Sequence, residues 1–403
     1  MKCDVVVVGA GPAGLVAART VASSGYNVIV LERERRLGAK PCGEACSRAT
    51  LVDSMIDPGG DFVVREIAGA RVYAPDGSSV AIQGDVGVGC ILDKALYLEH
   101  LASKAAEAGA EIRVGCDVES MKRNDSNAGR ADGESLFQVG VRPGAGAGSG
   151  KEEGFEANVL IGADGFNSTV ARRFGLEEGG ERELIPCVQY HMVNCDFADD
   201  GVAEFYLGRT VAPRGYAWAF PRGDGRANVG IGVRGAPAKP YLDRFVEAHS
   251  KMFGKARVIG FEAAPVTVGG LLKRVVADGV VLVGEAAGQV VPLTGAGIHS
   301  GVAGARMAGL VVSDALAEGD VSAAVLERYQ RDYAARWGRR IGDSLKALKA
   351  VEKLSDEDLN ELAGLLSQDD VLDLANGLDI SRVASKLIRH PLLGLRLARA
   401  LTG

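Results

Sequence analysis

The sequence lacks the marks of a membrane-spanning, secreted or nucleic-acid-binding protein. No apolar run reaches the roughly 20 residues of a transmembrane helix. Acidic residues outnumber basic ones, 52 to 46, and a net charge of −6 argues against nucleic acid as a general partner. Seven cysteines, at 3, 42, 46, 90, 116, 187 and 195, show neither a disulfide framework nor zinc-knuckle spacing. That scatter fits a reducing cytoplasm. Cys42 and Cys46 could begin a metal site, but no second His or Cys pair completes it, so no metal is expected. The opening MKCDVVVVGAG reads as a strand entering a glycine turn and not as a signal peptide, and a cytoplasmic location is the expectation. Aromatic residues make up only 5% of the chain, so a cluster of them carries information.

What is present begins at the N-terminus. At 403 residues the chain can bury a large core and divide into two or three lobes. Val5 to Val8 form a continuous β-branched run, as a strand buried on both faces should. Gly9, Gly11 and Gly14 follow in GxGxxG spacing, with Pro12 and Ala13 opening a helix. The first glycine permits the tight turn, the second lets backbone approach a pyrophosphate, and the third lets helix and strand pack closely. A second apolar strand, NVIVLE, ends at Glu32, where an acid can accept both hydroxyls of an adenosine ribose. Arg33 beside it is a further candidate contact. Strand before, helix after and acid at the right distance make this a dinucleotide site.

Two later glycine-acid turns narrow the ligand. VLIGADGFNSTVARRFG, residues 159 to 175, carries Asp164 after an apolar strand. Residues 279 to 309 repeat the theme, with a strand at Val280–Val283, the turn Gly284-Glu285-Ala286-Ala287-Gly288, and a small-residue helix from about Gly297. With these three elements in order, the chain resembles the FAD-dependent monooxygenase and reductase superfamily that contains para-hydroxybenzoate hydroxylase. One departure is Glu285, where that superfamily usually has Asp. The resemblance implies non-covalent FAD, with Glu285 on the ribityl hydroxyls and Gly295, Gly297 and Ile298 against the isoalloxazine. It also implies Lys94, at the start of the helix in residues 91 to 109, as a cofactor contact, and Val118 as backbone presented to adenine. For Lys94 an ordinary solvated helix charge is the competing reading.

The implied fold class is α/β: a Rossmann-like FAD-binding domain, an antiparallel-sheet substrate domain and a C-terminal helical region. The expected division is 1–63 with 86–175 and 265–320 for FAD, 64–85 with 176–264 for the substrate sheet, and 321–403 for the helices. The strand blocks 64–85 and 185–234 should pair into one antiparallel sheet. Residues 142 to 154, rich in glycine and serine, read as a hairpin tip without function. No second GxGxxG βαβ unit is present, so NAD(P)H, or a protein reductant such as ferredoxin, would dock transiently. Residues 380 to 403 hold five basic residues and no acid, after an acidic stretch at 355 to 379. Such a terminal helix can lie on an anionic inner-membrane surface or pack on the body, neutralised by that stretch.

The substrate signal lies in residues 212 to 232, where Tyr216, Trp218, Phe220 and Pro221 form a Y-x-W-x-F-P pattern. On a strand, Tyr216, Trp218 and Phe220 share one face. They serve as core aromatics or as the lining of an apolar tunnel. The pattern, the Pro-Cys-Gly-Glu turn at residues 41 to 44 and the Pro292–Ile298 turn together resemble the geranylgeranyl reductase family. That resemblance covers nearly the whole chain and implies reduction of isolated double bonds in polyprenyl chains, as in archaeal-type ether lipid precursors. It places the 41-to-46 loop over the flavin, with Cys42 as proton donor or positioner, and Gly43, Glu44 and Cys46 holding the loop or touching the cofactor. A buried thiol that only shapes the loop is the alternative for Cys42. An aromatic monooxygenase or halogenase of the same fold, or a non-enzymatic lipid-binding or flavin-storage protein, are the competing functions.

Overall fold

The computed structural model describes residues 1–83, 89–124, 135–143, 153–177 and 182–379, together with 382, 383 and 386. Most of the glycine-rich 142–154 segment and of the basic 380–403 segment lies outside the described residues.

Val5–Val8 is the middle of a six-stranded sheet and is buried along its whole length. Val28–Glu32 and then Glu111–Val114 lie to one side; Val159–Gly162 and Val280–Leu282 lie to the other, all in parallel register. Val276–Ala277 closes the far edge antiparallel. The helix Pro12–Ala22 has Pro at its first position, where a missing N–H costs nothing. Gly14 is required by contact: a Cβ there would sit 2.0 Å from the Gly9 carbonyl oxygen. The long helix Ile298–Glu318 is rich in small residues because it packs against Pro12–Ala22. A Cβ on Gly309 would meet the Thr20 side chain at 2.6 Å.

A seven-stranded sheet forms the second layer. Its order runs Arg257–Thr267, Leu184–Val193, Arg226–Gly232, Tyr216–Gly223, Val202–Tyr206, Gly69–Tyr73 and Ser79–Gln83. The two expected strand blocks do pair, but at their junction Gly69–Tyr73 runs parallel to Val202–Tyr206. The sheet is therefore mixed and not wholly antiparallel. Val63–Ile67, expected in the same sheet, instead joins Gly89–Leu92 and Ala45–Ser47 in a separate three-stranded sheet. Alternation along Tyr216–Gly223 splits it cleanly. Ala217 and Ala219 pack with Leu242 and Phe245 of the helix Ala238–Ala248 on one face. Trp218 and Phe220 face the opposite way, beside Ile67 and Ile91. The described chain after residue 320 is helical, with helices Ala323–Tyr333, Arg339–Val351, Asp356–Leu365 and Gln368–Asn376. None of the described helices is long and apolar enough to cross a membrane.

Candidate active site

The dinucleotide end is built from two helix starts with glycine caps. Gly11 and Gly297 cap the helices Pro12–Ala22 and Ile298–Glu318, and neither helix has a side-chain cap. Their N-terminal N–H groups are thus available to an anion or a polarised ring. Space exists for one: nothing lies within 4 Å of a Cβ built on Gly11. Glu32 accepts the Ala10 N–H at 2.8 Å and the Glu34 N–H at 2.9 Å, which fixes its carboxylate beside the turn. Arg33, its side chain 66% exposed, pairs with Glu34 at 3.4 Å. Val118 sits on the strand Cys116–Arg123, opposite Val141, with its side chain in the core.

The structure gives three of the expected cofactor residues protein partners of their own. Asp164 spends its carboxylate on the helix Thr169–Arg173, accepting from Ser168 Oγ at 2.6 Å, Thr169 N at 2.6 Å and Val170 N at 3.2 Å. Its carboxylate thus steadies the start of that helix beside the N-cap Ser168. Lys94 is no solvated charge: it is 7% exposed and donates to the Lys40 carbonyl. Glu285 uses the extra methylene to reach across, accepting from Thr267 N and Oγ1 at 3.1 Å and pairing with Lys40.

Against one face of the seven-stranded sheet lies a cavity of about 500 Å³, the size of a small-molecule site. It brings together Cys42, Gly43, Glu44 and Cys46 from the loop, Gly295, Gly297 and Ile298 from the late turn, and Tyr216, Trp218 and Phe220 from the sheet. Pro221 falls on the opposite face of its strand and does not line the cavity. The aromatic rings form a ladder, with Phe205 5.2 Å from Phe220 and 5.8 Å from Tyr216 between centroids. The Tyr216 hydroxyl donates to the Thr294 carbonyl and so ties this ladder to the late turn.

The Cys42 loop is held from across the sheet by residues that sequence reasoning did not single out. Gln189 donates to the Cys42 carbonyl at 3.0 Å and accepts the Trp218 indole N–H at 3.0 Å. Asn228 donates to the Gly43 carbonyl at 3.3 Å and to Glu44 at 2.7 Å. Arg222 completes the set with an ion pair to Glu44, whose backbone is held at φ +68°. His191 bridges Asn228 at 2.9 Å and Glu262 at 3.2 Å; the Glu262 carboxylate raises its pKa. Cys46 points to Cys90 instead, Sγ to Sγ 3.5 Å, across paired strands.

Burial pushes the Cys42 thiol above its ordinary value, and the nearby Lys94 and Lys40 charges oppose that rise. Its sulfur accepts the Glu44 N–H at 3.3 Å. The thiol is thus protonated at neutral pH, and two cations stand ready to stabilise the thiolate. Cys187, also on the cavity wall, is pushed by burial to about 12.

Residues 183–266 match the family model for the geranylgeranyl reductase catalytic domain, and residues 7–43 match that for an NAD(P)-binding Rossmann-like domain. The chain is 37% identical to digeranylgeranylglycerophospholipid reductase 2 of Methanopyrus kandleri, over 98% of both chains. Among solved structures, a geranylgeranyl bacteriochlorophyll reductase-like protein of Thermoplasma acidophilum superposes with a TM-score of 0.87 at 29% identity, covering 99% of each chain. The flavin-dependent halogenase CmlS, at 18% identity and a TM-score of 0.68 over 96% of this chain and 78% of its own, shares the fold alone. The chain belongs to the geranylgeranyl reductase family, and the group its two glycine-capped helix starts fit is FAD.

Proposed function

We propose that this chain is an FAD-dependent reductase that saturates isolated double bonds in the geranylgeranyl chains of an archaeal-type glycerophospholipid. The observation that carries the reading is the cavity itself: an aromatic ladder faces a protonated cysteine beside the glycine turn of the late element. Residues 1–63, 86–175 and 265–320 would hold FAD, 64–85 and 176–264 the lipid, and 321–403 would be the C-terminal helical region.

An isolated trisubstituted alkene has no carbonyl to polarise it. Hydride delivery to one carbon must be coupled to proton delivery to the other, for a net gain of two hydrogens per bond. Reduced FAD supplies the hydride when bound. Cys42 carries the proton, and Lys94 and Lys40 stabilise the sulfur once the proton leaves. Gln189, Asn228 and Arg222 fix where that sulfur stands. Positive charge develops at the tertiary carbon, and the faces of Trp218, Phe220 and Phe205 tolerate it. The apolar walls keep water from quenching either partner. Each buried methylene of the chain adds about 0.8 kcal/mol of binding.

A transient reductant, NAD(P)H or ferredoxin, belongs to this reading, as does a peripheral membrane contact through the basic 380–403 segment. Co-sedimentation of the full chain and a chain ending at 379 with anionic vesicles tests the membrane contact; equal binding by both ends it. For the reaction, anaerobically reduced protein is mixed with a geranylgeranyl glycerophospholipid, and flavin reoxidation and product mass are followed. Two added hydrogens per bond are expected. Oxygen added to an aromatic acceptor, on admission of air, would support a monooxygenase instead, and no reoxidation with the lipid would reject the reductase.

A further inference from the structure

One cluster on the cavity wall has no part in hydride or proton delivery. The helix Ala323–Tyr333 runs into a π-helical turn, Ala334–Gly338, before Arg339–Val351 resumes. Such turns re-aim the side chains around them and recur at functional sites. Here Trp337 and Arg340 reach the cavity wall beside His299. The Arg340 guanidinium lies over the indole, its central carbon 4.1 Å from the ring centroid. His299 stands edge-on to the same indole at 5.1 Å and bonds Asp53 at 3.0 Å.

One cation in this cluster is left over. Arg340 donates its Nε–H to the Asn376 carbonyl at 3.0 Å, and among the described residues no carboxylate pairs with it, although burial already lowers its pKa. Trp337, 2% exposed, gives the guanidinium a flat face to stack on. A half-buried cation without a counter-charge costs free energy. An anion with several oxygens would accept from its remaining N–H groups. The other arginines on the cavity wall are already committed: Arg209 donates to the Leu354 and Lys353 carbonyls, and Arg214 pairs with Glu352 at 3.3 Å. Asp53 is shared between His299 and Arg336, 3.5 Å away, so it leaves Arg340 uncompensated.

The position suits a lipid head. From Arg340 the cavity follows the helix past Leu348 and Val351 to Glu352, about 18 Å along the axis. The wall between those ends is apolar, and its length is that of an extended geranylgeranyl chain. We propose that Arg340, stacked on the Trp337 indole, forms a phosphate-binding subsite that anchors the head of the prenyl lipid. The identity of the lipid rests on the reductase reading; the subsite rests on the guanidinium that no carboxylate compensates among the described residues.

Calorimetric titration of the full-length, FAD-loaded protein tests it without turnover. The probes are a geranylgeranyl glycerol phosphate, the same lipid without phosphate, and inorganic phosphate. Wild type should bind the phosphorylated lipid at least about tenfold more tightly than the phosphate-free one. Arg340→Gln should abolish that preference, whereas Arg340→Lys, and Trp337→Phe, which keeps the stacking, should each keep most of it. Equal affinity for both lipids in wild type, or a preference that survives Arg340→Gln, overturns the subsite. Tight binding of inorganic phosphate with no discrimination between the lipids overturns its assignment to a lipid head. Arg340-dependent binding without any hydrogen transfer would leave the subsite standing and reject the reductase; reduction of both lipids without discrimination would do the opposite.

Discussion

Replacing Cys42 with alanine separates chemistry from packing, because the structure allows the thiol to be removed at little cost. The loop is held through backbone groups: Gln189 grips the Cys42 carbonyl and Asn228 the Gly43 carbonyl. Among the described residues the sulfur itself accepts only the Glu44 N–H, at 3.3 Å, and it lines the existing cavity, so no closed void is left. Stability should change by no more than about 1 kcal/mol. If the thiol delivers the proton, the chemical step should slow by about 10²-fold or more, near 2.7 kcal/mol in the barrier. Cys42→Ser should recover little, since a hydroxyl is far less acidic. The assay is single-turnover reoxidation of anaerobically pre-reduced flavin by the lipid, so that a slow reductant cannot mask the step. The pH profile supplies an independent readout. The active form is the protonated thiol, and its pKa is raised above the ordinary 9.0. The wild-type rate should therefore stay level through neutral pH and fall only as pH rises past that value. A wild-type rate in Cys42→Ala, with FAD content unchanged, would refute the assignment and reduce the Pro-Cys-Gly-Glu turn to a loop feature.

Other outcomes follow from the same geometry. Arg222→Leu strands Glu44, whose side chain is 12% exposed; Asn228 and the Lys94 N–H still hold it, so about 2 kcal/mol should be lost, read from the urea midpoint of the FAD-loaded protein. Gly14→Ala drives a methyl to 2.0 Å from the Gly9 carbonyl and should prevent folding, whereas Gly11→Ala meets no protein atom within 4 Å and should fold but retain little flavin. Full flavin absorbance in purified Gly11→Ala would show that the pyrophosphate does not pass there. Trp218→Ala widens the apolar floor, so apparent lipid affinity should fall by about tenfold and partly reduced products should accumulate in mass spectra.

The parts of this molecule that were legible in the sequence are those where backbone geometry dictates residue type. A glycine at φ +103° for Gly9, a second with open space and a third pressed on a carbonyl leave a spacing that few other structures need. Period-two alternation likewise placed Tyr216, Trp218 and Phe220 on one face before any pairing was known. The polar frame around Cys42 was not legible, because Gln189, Asn228 and Arg222 lie on three different strands and meet the loop only through sheet register. For Lys94 the sequence leaves a cofactor contact and a solvated charge both open, because its burial involves a carbonyl far back in the chain, that of Lys40. The partners of Asp164 have a local origin: the Ser168-Thr169 pair that follows it is a helix-start signal, and the carboxylate accepts from that helix start. The π-helical turn that delivers Trp337 leaves no periodic trace over five residues.

Gln189 joins the two halves of the proposed reaction and can be tested as such. It is 3% exposed, and one amide holds both the Cys42 carbonyl and the Trp218 indole, so the proton donor and the aromatic floor share a single support. Gln189→Met keeps the volume and removes both bonds; each is worth about 1 kcal/mol net, with a further penalty for the stranded buried groups. Trp218→Phe removes only the indole bond and keeps an aromatic face. If Gln189 acts by positioning both groups, the two substitutions should be non-additive in the single-turnover rate, with a coupling of about 1 kcal/mol. The product pattern of Gln189→Met should also shift toward that of the Trp218 variant. A residue that merely packs the sheet would lower the unfolding midpoint in both variants and leave the rate per FAD-loaded molecule, and its pH profile, where they were. Additive rate effects in the completed cycle would show that Gln189 does not act on the rate through Trp218.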